Sequence, residues 1–232
     1  MRPEPVASTR HTLILLAILG GVAALGAVNR AGAVASAPAP GSHAVLYLVM
    51  IAAEWLLFRY ALLGLRRAGT PLKAIFGEPP RTLRSALLVI AVGALAWFAF
   101  GVLATGIKQA LTALGLPVHA DDARTIAAVR PHGALETGLW VALSISAGVC
   151  EEFVFRGYLM RQFAAWFGGR AQGLIASSIV FGLGHAWEGL APMLVITGLG
   201  LAFGGLALAM KRLAPGIVGH ALMDVVAGLT GR

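Results

Sequence analysis

Charge is scarce in this chain: 12% of its 232 residues are Asp, Glu, Lys or Arg, where a soluble domain carries about 25%. With 58% hydrophobic residues, that scarcity excludes an ordinary water-soluble surface. Cysteine is nearly missing. Cys150 stands alone, which excludes a disulfide framework and any CxxC metal or redox motif. Beside Glu151 it is open to a reading as a thiol nucleophile, but the plainer reading is a small, soft packing residue. Acidic residues are few, 10 against 18 basic ones, leaving a formal charge of +8. The basic residues fall in short stretches between apolar runs, where they orient helices, so no nucleic-acid partner is expected.

What the chain has instead is spanning-length apolar segments, at about 12–28, 43–65, 85–107, 136–166, 171–187, 192–210 and 215–229. They predict an all-α fold: a polytopic membrane bundle of about seven transmembrane helices, with the lipid bilayer as its solvent. Arg66, Arg67, Lys73, Arg81 and Arg84 cluster in one linker, Arg161 and Arg170 flank a turn, and Lys211 and Arg212 mark another. Alternation of these clusters with weakly charged loops predicts a cytoplasmic N-terminus. The segment at 12–28 reads as an uncleaved signal anchor, although the small residues of "AVASAPAP" at 33–40 resemble a signal-peptidase site.

Three regions follow. Residues 1–84 form an N-terminal membrane region ending in the Pro-containing linker 66–84. Residues 85–135 hold the third apolar helix and an outer-side loop, with a short amphipathic helix expected within 108–133. Residues 136–232 carry the polar residues that invite a functional reading. His43, His119 and His132 are expected to be solvated at the outer side, and Glu54 with Arg59 to be structural or snorkelling. Trp187 and Glu188 are expected as an interfacial anchor and a helix end.

An ionisable side chain in a spanning helix costs roughly 2.5–3.5 kcal/mol on insertion scales, so it needs a partner or a function. Three stretches stand out: "EEFVFR" (Glu151 to Arg156), "FGLGH" (Phe181 to His185) and "HALMD" (His220 to Asp224). Glu152 and Arg156 are four apart and share a helix face, which suits an ion pair. Glu151 points elsewhere, on the side of Ser144, Ala147 and Gly148, small residues that admit another helix closely. Glu151 and His185 each lie 17 residues from Gly168, so regular helices would place them at similar depth, with His220 shallower. Gly200 and Gly204 form a GxxxG that reads as packing scaffold. A carboxylate and two imidazoles can thus meet inside the bundle, and each motif alone has a structural reading as buried pairing or packing.

In order and flanking text, the motifs EExxxR, FxxxH and HxxxD resemble those of the CAAX-protease and bacteriocin-processing (Abi and Rce1-type) family of intramembrane endopeptidases. The resemblance covers about residues 136–232. It implies hydrolysis of membrane-anchored proteins or peptides by an integral protein of the bacterial inner membrane. It further implies that Glu151 and His185 activate water and that His220 and residue 224 line the oxyanion site. Glu152, Arg156 and Phe181 would support them. Asp224 departs from the asparagine of the prenyl-protease branch. An ionised Asp224 would repel an oxyanion, so it would donate as the neutral acid or orient His220. No cofactor is favoured, and a zinc version would use Glu151, His185 and His220 as ligands. Two other readings stand beside it: a proton-coupled transporter using the same buried Glu and His residues, and a noncatalytic membrane scaffold.

Overall fold

The computed structural model describes residues 3–32, 43–118 and 129–230. In chain order come α1 (Thr9–Gly32), α2 (His43–Arg67), the short α3 (Leu72–Phe76), α4 (Leu83–Ala113) and α5 (Gly133–Glu151). A π-helical stretch (Glu152–Leu159) continues α5 into α6 (Met160–Phe167). Then follow α7 (Arg170–Gly184), a 3₁₀ turn (Ala186–Glu188), α8 (Leu190–Met210) and α9 (Ala214–Thr230). No strand occurs among the described residues. Each of the seven apolar segments corresponds to a helix. The chain is a polytopic helical bundle: five helices are long and apolar enough to cross a membrane, and α9 is a shorter apolar helix. The small-residue run at 33–40 and most of the outer-side loop, residues 119–128, lie outside the described residues.

The continuous helix Gly133–Phe167 is the centre of the bundle. Its most apolar 18-residue window is 56% buried, against 17% for each of the first three spanning helices. Those outer helices turn Leu13, Val22, Leu56, Leu87, Leu95 and Phe98 outward, an apolar surface suited to lipid. The core below them gathers Phe153, Val154, Phe155, Tyr158 and Leu159 from the π stretch against Leu15, Leu65, Ile75 and Phe181.

Small residues set the helix spacing, as the sequence predicts. A Cβ on Gly148 would sit 2.9 Å from the Ile217 carbonyl oxygen and 3.1 Å from the Ala221 Cβ, so α5 and α9 touch almost backbone to backbone. Gly200 and Gly204 face Ser178 and Leu174 of α7, which is the scaffold role expected of the GxxxG. Gly168, at φ 83°, takes the left-handed conformation that ends α6 and reverses the chain into α7.

Buried polar contacts fasten α1 and its leading segment to this core. The fully buried Gln162 accepts from the backbone N–H groups of Val6 (2.9 Å) and Ala7 (3.1 Å) and donates to the Ala7 carbonyl (3.1 Å). Thr12 and Tyr158 share a hydroxyl–hydroxyl bond of 2.9 Å. Each satisfies a group that would be costly to leave alone in an apolar interior.

Of the histidines expected to be solvated, His132 is exposed and His43 is not. His43 is buried, stacks on His132 with centroids 5.8 Å apart, and lies 3.5 Å from the Glu136 carboxylate. Glu136 also accepts from the His132 backbone N–H at 2.8 Å. Helix α5 starts there, and its unsatisfied N–H groups favour a carboxylate in the first turn. His119 lies outside the described residues.

Candidate functional site

The two adjacent glutamates sit at the junction where α5 gives way to the π stretch. Counting residues as if 136–166 were one regular α-helix therefore fails here. The N–H of Met160 bonds the Phe155 carbonyl, five residues back, and the Ser177 hydroxyl of α7 donates to the same oxygen at 2.8 Å. Such π segments are rare and frequently occur at functional sites. Bulky Phe153, Val154 and Phe155 fill the core on one side, while Gly157 lets Ile75 of α3 press against the backbone.

Glu152 and Arg156 form the expected pair: Arg156 Nη1 lies 2.9 Å from Glu152 Oε1, with both side chains almost completely buried. The guanidinium lies over the Phe181 ring, 4.2 Å from its centroid, and 5.5 Å from that of Phe203, so cation–π attraction joins the ion pair. Phe181 also meets the His185 ring edge-on at 4.9 Å. Gly216 leaves room for the second carboxylate oxygen, since a Cβ there would lie 3.1 Å from Glu152 Oε2.

Glu152 has a second partner that helical spacing within one segment could not reveal. His220 of α9 places Nδ1 3.1 Å from Glu152 Oε1. Its Nε2 lies 3.6 Å from Glu151 Oε2 and 3.6 Å from Asp224 Oδ2. A carboxylate facing a guanidinium is an acceptor, so Nδ1 carries the hydrogen and donates. His220 is thus gripped at one ring nitrogen by Glu152 and presents the other to Glu151 and Asp224. Phe203 stacks on its ring at 5.3 Å.

His185 caps the C-terminal end of α7 instead of lying within a continuous helix. Its Nδ1 meets the Phe181 carbonyl at 2.9 Å. A carbonyl only accepts, which puts the hydrogen on Nδ1 and leaves Nε2 as the free ring nitrogen. Among the described contacts, the carboxylate of Glu151 is paired with His220 and not with His185. All four nevertheless share one space: Glu151, His185, His220 and Asp224 line a cavity of about 440 Å³ whose remaining walls are mostly apolar.

Glu54 of α2 lines the same cavity, and its Oε2 is buried without a hydrogen-bond partner. The charges of Glu151 and Asp224 both bear on it. Arg59 is exposed, so the expected pairing of these two within α2 gives way to a carboxylate facing the site. The signal that could have found Glu54 is its burial cost in a spanning helix without a cation one turn away. Trp187 and Glu188 also line the cavity, and the indole packs against Gly26 of α1. Cys150 is buried on the cavity wall.

A zinc ion would need three of these side chains gathered around one point. Among the described residues no group of three His, Cys, Asp or Glu side chains is placed to hold a metal ion. His220 Nδ1 is held by Glu152 at 3.1 Å, and its Nε2 lies 3.6 Å from Glu151. No chemical step below is routed through a metal.

Residues 133–226 match the family model described as type II CAAX prenyl endopeptidase Rce1-like. No curated protein and no solved structure matches the chain. The matched stretch begins with α5, ends within α9 and contains every motif residue of the site, while Glu54 stands outside it. The likeness supports a peptidase that works in a membrane on a peptide or protein substrate. Residues 133–226, which supply Glu151, His185, His220 and Asp224 to this cavity, are therefore similar to the Rce1-like type II CAAX prenyl endopeptidases.

Proposed function

We propose that this chain is an intramembrane endopeptidase in which Glu151 activates the attacking water. The observation that carries the reading is the convergence of Glu151, His185, His220 and Asp224 on one cavity, inside the stretch matched to a peptidase family. Mostly apolar walls suit a segment of a membrane-anchored protein or lipidated peptide, in the inner membrane of a bacterium.

In this mechanism Glu151 takes a proton from water as the water oxygen bonds to the carbonyl carbon of the scissile peptide. Removing that proton in the transition state is worth roughly 10²–10⁴-fold. The free Nε2 of His185 orients the water as an acceptor. His220, as the imidazolium with its Nδ1–H held by Glu152, donates its Nε2–H to the oxygen that gains negative charge. Glu151 then returns its proton to the leaving nitrogen as the C–N bond breaks, giving a carboxylic acid, which ionises, and an amine. At 3.6 Å from Nε2, Asp224 orients His220 and need not meet the oxyanion itself.

Glu152, paired with Arg156, holds His220, and neither side chain of that pair lines the cavity. Because the base is a carboxylate of the chain, strong chelators should leave turnover unchanged once their effects on substrate and detergent are controlled. The experiment is incubation of the purified, lipid-reconstituted protein with a prenylated peptide and with an unlipidated one, with and without chelator, products read by mass spectrometry. Cleavage that resists chelation supports the reading. Activity lost to chelation and restored by zinc would make Glu151 a ligand, and proton flux without cleavage would make the chain a transporter.

A further inference from the structure

A second cavity, of about 540 Å³, opens at the end of the bundle that carries the basic turns. It lies between α3, α6 and the turn after α8, and takes in the leading segment before α1. Six cationic side chains line it, Lys73, Arg156, Arg161, Arg170, Lys211 and Arg212, against a single carboxylate, Glu4. Some of this charge is matched from outside the cavity. Lys73 pairs with Glu78, whose carboxyl its hydrogen bond holds below the usual range, and Arg156 pairs with Glu152. Among the described residues no ion pair is formed by Arg161, Arg170, Lys211 or Arg212.

Burial makes this imbalance costly. Arg156 is 2% exposed, and neither Nη1 nor Nη2 has an aligned hydrogen-bond acceptor. Nε of Arg161 is likewise buried without an acceptor, and the positive charge of Arg170 bears on it. Like charges held together with unmet donors call for an anion with several acceptor oxygens. Of the common anions, a phosphate offers that number of oxygens in the geometry guanidinium groups bind. A basic pocket between helices at headgroup level is also where anionic lipid is held.

The geometry points to a phosphate-binding site in this cavity, for the phosphate of an anionic lipid headgroup or for a free phosphate anion. Arg156 forms part of its wall and also pairs with Glu152, which grips His220. Arg156 therefore links the anion site, through Glu152, to His220 on the wall of the other cavity, and bound phosphate contributes to keeping Arg156 in place. The site does not depend on the proposed chemistry.

The test is thermal unfolding of the purified full-length protein in neutral detergent, titrated with short-chain phosphatidylglycerol, short-chain phosphatidylcholine or inorganic phosphate. A saturable rise in Tm with phosphatidylglycerol alone identifies the headgroup as the source. A rise with inorganic phosphate as well identifies the anion itself as sufficient. Arg161→Gln should weaken half-saturation about tenfold or more, the size expected for a lost charge-assisted hydrogen bond. Arg170→Gln and Lys211→Gln change exposed side chains and leave the fold intact, and each should weaken it several-fold. The proposal is overturned if neither phosphatidylglycerol nor phosphate raises Tm, or if phosphatidylcholine does as well as phosphatidylglycerol. It is equally overturned if the two exposed variants keep the wild-type half-saturation.

Discussion

His220 Nδ1 lies 3.1 Å from Glu152 Oε1, the same carboxylate oxygen that Arg156 Nη1 approaches to 2.9 Å. One oxygen thus joins the central helix, through the π stretch, to α9. The second glutamate of the pair fixes the imidazole, and the first faces the cavity.

Glu152→Gln should therefore act first on folding. It strands Arg156 in an interior where an uncompensated charge costs about 3–5 kcal/mol. Arg156→Gln should do the same in mirror image. The double variant should recover part of the folded yield, as read by size-exclusion profile and thermal melting. Simple addition of the two single losses would show that the pair is not energetically coupled.

The contact between α5 and α9 gives a prediction about packing alone. Gly148→Ala pushes a methyl group against the Ile217 carbonyl and Ala221, and should lower stability by about 1–3 kcal/mol. Gly138→Ala, on the same helix with nothing within 4 Å of the new carbon, should be neutral or slightly stabilising. Equal melting temperatures for the two variants would place α9 elsewhere.

Asp224 and Glu151 stand at equal distance from His220 Nε2, so their roles separate only by substitution. Asp224→Asn keeps the volume and can still hydrogen-bond His220. Turnover should stay within about tenfold of wild type, less than the loss of a general base. A collapse of kcat in this variant, with KM unchanged, would transfer the base role to Asp224.

Facing of α2 is testable by chemistry. In a Cys150→Ala background, Glu54→Cys should be alkylated by a small thiol reagent and shielded by a bound peptide substrate. Arg59→Cys, exposed on the outside of the bundle, should be indifferent to substrate. Shielding at both positions, or at neither, would remove Glu54 from the cavity wall.

Much of this was legible in the sequence, for physical reasons. Apolar length marked the helices, since lipid leaves the backbone no partner but itself. The i, i+4 spacing gave Glu152–Arg156, because neighbours on one helix are fixed by its pitch. Contacts between helices were a different matter. Spacing within α9 says nothing of which glutamate its histidine will touch, and equal residue counts from Gly168 lose meaning once eight residues become π-helical. Glu54 was missed because the carboxylates it faces, Glu151 and Asp224, lie about a hundred residues or more along the chain, and a nearby arginine offered an easier explanation. His43 was missed likewise, since its burial depends on Tyr47, His132 and Glu136 meeting at the start of α5.

The central claim is that Glu151 is the base. Its most direct test is turnover of a cleavable membrane peptide by Glu151→Gln, measured beside wild type at matched folded concentration in lipid. The amide keeps the side chain's volume and hydrogen bonding but cannot accept the water's proton. The expected result is normal insertion and melting with kcat reduced at least about a hundredfold. Turnover within a few-fold of wild type would contradict the account and require another group to activate the water.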